Sequence, residues 1–145
     1  KYIKWNYNGT DLKIESEKRM KNFNFNKDYF FILYDESDKN FTYPHNTVIY
    51  NFEKKIHHVV KVPCFKSEKL KNLKNSVSIT GFRRLDIKNK NSSYFIFLDG
   101  IEHIIVLLTY HSNESAREGK LGELQALNVE TGEFHPTWYK YYDRM

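Results

Sequence analysis

Asn8-Gly9 and Asp99-Gly100 each stand between two short runs rich in aromatic and β-branched residues. Such dipeptides accept the left-handed backbone of a two-residue hairpin turn, so each ties its flanks into antiparallel neighbours. Tyr2 to Tyr7 and Asp11 to Glu15 flank the first, and Tyr94 to Leu98 and Ile101 to Tyr110 flank the second. Glu130-Thr131-Gly132 separates Leu124 to Asn128 from Phe134 to Tyr142 in the same way. Thr47 to Phe52 and Ile56 to Val62 surround Glu53-Lys54-Lys55, and Pro63 ends the second run because it cannot donate to a ladder. Tyr29 to Tyr34 is apolar throughout, as expected of a strand covered on both faces. Val77 to Ile87 reads as a strand around Gly81. The expected fold class is β-rich α+β: an antiparallel, twisted sheet or half-barrel of hairpins, in one globular domain over residues 1–145.

One or two short helices complete the expectation. Ser67 to Asn75 has a capping serine, with Leu70 and Leu73 on one helical face. Ser16 to Asn22 offers a weaker start, carrying Met20 and Phe23. A loose pattern also recurs, in which apolar residues, an Asn or Asp and a turn precede a histidine. Tyr50-Asn51 leads to His57, Leu98-Asp99 to His103, and Leu127-Asn128 to His135. The spacings, about 48 and 29 residues, are unequal. They fit a meander of similar hairpins better than a fixed-period repeat.

Eleven Phe, 11 Tyr and 2 Trp supply enough buriable area for a core without staples. Cys64 is the only cysteine, which excludes an intramolecular disulfide and fits a reducing compartment; the expected location is the cytoplasm. No Cys-x-x-Cys pair, glycine-rich phosphate cradle or apolar run of about 20 residues occurs. Thiolate zinc sites, nucleotide-binding loops and spanning helices are therefore not expected.

The net charge of +5 is unevenly placed. Residues 1–60 carry 10 basic and 8 acidic side chains, residues 61–90 carry 9 and 2, and residues 91–145 carry 4 and 8. The basic middle gives candidate polyanion-binding residues Lys69, Lys71, Lys74, Arg83 and Arg84, with Phe65 and Phe82 interleaved. No RNA-recognition signature accompanies them, so nucleic-acid binding there is expected to be weak and non-specific.

Six histidines are spread over the chain. His57, His103 and His135 share a hairpin position, yet no His-x-x-x-His spacing supports a metal, and half-buried strand roles are expected instead. His45, after Pro44, and His111 are loop residues that a small basic ribonuclease could use. Nothing in the spacing singles out a catalytic residue, and no cofactor is expected. Cys64 is expected to be a buried structural thiol, and Phe82 a core residue.

The stretch from Thr47-Val48-Ile49-Tyr50-Asn51 through Ile56-His57 to Val62-Pro63, and that from Leu127-Asn128 through Thr131-Gly132 to Phe134, resemble hairpins of β-rich immunity proteins. These belong to polymorphic toxin and contact-dependent growth inhibition systems. The resemblance covers under a third of the chain. It implies a non-catalytic protein-binding module that neutralises a cognate bacterial toxin. Inhibitors of nuclease toxins are often acidic, and only residues 91–145 share that sign. The expected partner-binding residues are accordingly Glu114, Glu118 and Glu123 of an acidic loop, with Trp138, Tyr139 and Tyr141 of the aromatic strand. The alternatives are a ribonuclease-type toxin and a nucleic-acid-binding module using residues 61–90.

Overall fold

Every hairpin signal in the sequence closes a pair of strands. The computed structural model describes residues 1–72, 77–85, 93–110 and 122–142. The chain divides into two compact units, Lys1–Lys61 and Val62–Met145.

In the first unit, β1 (Tyr2–Tyr7) and β2 (Thr10–Glu15) form an antiparallel hairpin. Asn8 and Gly9 both take positive φ, 52° and 83°, which is the backbone of a type I′ turn. A four-stranded meander follows: β3 (Met20–Phe25), β4 (Tyr29–Tyr34), β5 (Thr47–Asn51) and β6 (Ile56–Val59), in that order. The continuous apolar run is the inner strand β4, and Phe30 to Leu33 are all buried. On one face Phe30, Ile32, Tyr34, Val48 and Tyr50 pack with Ile14, flanked by Ile3 and Trp5. Trp5 Nε1 donates to the Phe52 carbonyl at 2.7 Å, giving the half-buried indole its polar partner. The Tyr34 and Tyr50 hydroxyls bond each other at 2.6 Å.

The second unit holds a five-stranded antiparallel sheet. Its path runs β11 (Phe134–Tyr142), β10 (Gly122–Asn128), β9 (Ile101–Tyr110), β7 (Val77–Phe82), with β8 (Phe95–Leu98) also paired to β9. Strand β9 is the spine, buried continuously from His103 to Thr109. Ile105, Leu107 and Leu124 form one cluster, with Trp138 packed against it. Asp99 and Gly100, with φ of 55° and 76°, make the β8–β9 turn a second type I′ turn.

The β-rich, antiparallel part of the expected fold is present, and the expected helices are not seen among the described residues. Among the described residues there is no helix, and so none long and apolar enough to cross a membrane. Residues 67–72 form a tight turn in which the Leu70 and Lys71 N–H groups both reach the Ser67 carbonyl; the rest of that expected helix lies outside the described residues. The second expected helix, at 16–22, is a bend followed by β3. Its Asn22, Phe23, Asn24 and Phe25 alternate between faces, and that two-residue period overrode the spacing of Met20 and Phe23. Strand β6 ends at Val59, short of the expected Val62. Strand β7 ends at Phe82, short of the expected Ile87, which is outside the described residues.

Candidate functional site

The sequence-level site residues do not meet in one place. Glu114, Glu118, Lys74 and His111 lie outside the described residues. Glu123 is in β10 rather than in a loop, and it is wholly buried. Its Oε1 accepts the Ser67 N–H at 2.9 Å, and its Oε2 accepts the Lys66 N–H at 2.8 Å. Gln125 Nε2 also donates to Oε2, at 2.6 Å, and to the Cys64 carbonyl, at 2.9 Å. Lys66 Nζ completes the network by donating to Gln125 Oε1 at 2.7 Å. Burial holds the Lys66 ammonium below the usual lysine range, opposed by the negative charge of Glu123 and by Cys64. The expected surface acid is thus an internal anion that organises the 64–67 segment. The Ser67 hydroxyl, expected to cap a helix, makes no hydrogen bond among the described residues.

Of the basic residues, Lys69 Nζ sits 4.9 Å from the centre of the Tyr141 ring, and Arg84 lies 5.2 Å from that of Tyr94. Both are within cation–π range. Lys71 pairs with Glu68 at 2.9 Å, and the Arg83 side chain is exposed. Phe65 and Phe82 are buried, as core residues. Cys64 is exposed, not the buried thiol expected, because it precedes the turn whose buried members are Phe65 and Ser67. His45 is exposed in a turn after the cis Tyr43–Pro44 bond.

Strand β11 carries the aromatic residues. Trp138 is half-buried against the Leu124 cluster, while Tyr139 is exposed on the opposite face. Tyr139 and Tyr141 stand opposite Gln125 and Glu123, so the internal network underlies them. Strand β11 closes the sheet order on one side. The first unit treats its own edge differently. On β3, Asn22 Oδ1 accepts the Phe23 N–H at 2.9 Å, and Asn24 Oδ1 accepts the Phe25 N–H at 2.8 Å. These side chains occupy donors that an incoming strand would use.

One concave site with chemistry-bearing side chains lies where the β8–β9 and β10–β11 turns approach each other. A cleft of about 270 Å³ opens there, lined by Asp99, His103, Asn128, Glu133 and His135 together with apolar side chains. The recurring hairpin pattern brought two of its three histidines together: His103 and His135 are 5.6 Å apart, edge to face. His57 is in the other unit, stacked on Tyr29 at 4.4 Å and packed edgewise on His58. His103 is 2% exposed, and its Nδ1 lies 2.8 Å from the Ile101 carbonyl. Nδ1 must donate to that oxygen, which leaves the lone pair on Nε2. Burial holds this imidazole below the usual histidine range, with the Ile101 hydrogen bond opposing.

His135 is fixed the other way round. The backbone N–H groups of Trp138 and Thr137 donate to its Nδ1 at 3.0 and 3.2 Å, so Nε2 carries the proton. That proton goes to Asp99 Oδ2, 3.2 Å away. Both nitrogens of His135 are occupied, and the pair offers one open imidazole lone pair. Acid–base chemistry with two histidines needs a lone pair on one ring and an N–H free to reach substrate on the other, and the His135 N–H is taken by Asp99. Among the described residues no group of three or more His, Cys, Asp or Glu is placed to hold a metal ion.

Comparison with family models, curated proteins and solved structures finds no match to this chain.

Proposed function

We propose that the chain is a non-catalytic protein-binding module, in its sharpest form an immunity protein that binds and neutralises a toxin, and that it meets its partner along β11. The observation that carries this reading is the contrast between two sheet edges. Asparagine side chains occupy donors on β3. On β11 the His135 ring takes the Thr137 and Trp138 N–H groups, but from Tyr139 to Tyr141 no such side-chain guard is found among the described residues, and exposed Tyr139 and half-exposed Tyr141 lie there. An open edge gives a partner strand its main-chain hydrogen bonds, and aromatic side chains give it anchors. Trp138 is the foundation of that surface, held from beneath. With the His135 N–H taken by Asp99, the histidine pair lacks the free donor that two-histidine catalysis of the ribonuclease kind needs, which favours binding.

The direct trial is co-expression with the product of the neighbouring gene, followed by purification and a growth assay. A stable complex and rescued growth are expected. Tyr139→Ala with Tyr141→Ala should raise Kd about thirtyfold, equivalent to about 2 kcal/mol, with an unchanged unfolding midpoint. If the neighbour's product neither binds nor loses toxicity, the immunity reading is wrong. If a complex forms but ignores the double substitution, the surface is wrong. Binding to mixed-sequence RNA that falls steeply with salt would favour the basic residues Lys69, Lys71, Arg83 and Arg84 instead.

A further inference from the structure

We infer that the cleft between the β8–β9 and β10–β11 turns receives an arginine side chain of the protein partner, an inference that rests on the protein-binding reading of β11. Strand β11 itself connects the two places, since Phe134, His135 and Pro136 line the cleft and Tyr139 and Tyr141 follow on the same strand. A chain laid along this edge would pass the cleft mouth.

The acceptors converge on a donor-only, cationic group. His103 is almost fully buried, yet it lines the cleft with its Nδ1 already committed to Ile101, so Nε2 is its remaining acceptor. Asp99 spends Oδ2 on His135 and keeps Oδ1, on a side chain that is 83% exposed. Glu133 adds a second carboxylate at the rim. An anionic ligand would be repelled by the two carboxylates and a neutral donor would leave their charge uncompensated, whereas a guanidinium brings a positive charge and five N–H donors in a planar fork. Leu98, Ile101, Phe134 and Pro136 supply an apolar wall for the methylene stem. At about 270 Å³ the cleft is below the usual range for a small-molecule site and suits one inserted side chain. The charge sign agrees with the surroundings, because residues 91–145 are net acidic.

The test uses the whole chain labelled at histidine, with the imidazole resonances of His103 and His135 followed by NMR. N-acetyl-arginine amide is the probe, and the isosteric, uncharged N-acetyl-citrulline amide is its control. A saturable shift of both rings is expected with the arginine probe, at least about tenfold weaker with citrulline and in Glu133→Gln. Glu133 is exposed, so this substitution leaves the fold intact. Equal shifts from both probes, or none from arginine, overturn the inference. The partner complex separates this failure from that of the β11 reading. If Asp99→Asn with Glu133→Gln leaves its affinity unchanged while Tyr139→Ala weakens it, the cleft inference fails and the β11 reading stands. If the arginine probe binds and Tyr139→Ala has no effect on the complex, β11 is the wrong surface and the cleft stands.

Discussion

The backbone N–H of Ser67 donates to Oε1 of Glu123 at 2.9 Å, across 56 residues of chain. The neighbouring Lys66 N–H shares the same carboxylate, so one buried anion satisfies two main-chain donors. Glu123→Ala would strand both donors and remove one of the bonds of Gln125, at a cost of about 3 kcal/mol. Glu123→Gln keeps one acceptor but turns an amide N–H toward a donor, and should cost about 1–2 kcal/mol. Urea unfolding of both variants checks this, and a loss below about 0.5 kcal/mol for the alanine variant would contradict the network.

The Tyr34–Tyr50 pair makes an optical prediction. Burial raises the pKa of both phenols, and for Tyr34 the hydrogen bond to Tyr50 adds to the rise. A phenol raised in the folded state contributes stability below its unfolded value, near 10, and that contribution is lost as pH climbs. Ultraviolet titration should therefore show these two of the 11 tyrosines ionising only when the protein unfolds in alkali. Tyr34→Phe should cost about 1 kcal/mol at neutral pH.

His103 sets an acid-side slope. Its folded value lies below the ordinary 6.5, so as pH falls through that value the unfolded chain takes up a proton that the folded chain resists. Stability should thus be level above about pH 7.5 and decline below about pH 6.5. His103→Asn should flatten that decline relative to the native chain. Urea midpoints at about pH 7.5 and about pH 5.5 make the comparison, and identical slopes in the two proteins would contradict it.

Cys64 makes the fastest check. As an exposed thiol it should react fully with a disulfide reagent in the folded state, at the same rate with and without urea to within about tenfold. Reaction only on unfolding would place it inside.

Much of the fold was legible because hairpins are local. The bounds of β1, β4, β9 and β11 coincide with apolar runs that end at a turn, and each side of the turn sees the other within a few residues. What failed was long-range. The turn at Ser67 reads as a helix start in isolation, and nothing near it in sequence announces that Glu123 will bind its N–H groups. Glu123 looks like a surface acid for the same reason, since the main-chain donors it binds are more than fifty residues away. In β3 the spacing of Met20 and Phe23 read as a weak helix start, although the alternation of Asn22, Phe23, Asn24 and Phe25 is that of an edge strand. The histidine pair was half visible: shared hairpin positions marked His103 and His135, while the tautomers that decide their chemistry come from Ile101, Trp138 and Asp99.

The asparagines of β3 carry a consequence for the protein at high concentration. Fibrils grow when a strand edge offers free donors to an identical strand, and the rate depends on how many donors wait unoccupied. Asn22 and Asn24 give the chain two amide latches that must open before such growth begins. A copy of the same strand would have to break both, whereas it could not regain them once paired. The molecule thereby discourages self-templating along β3.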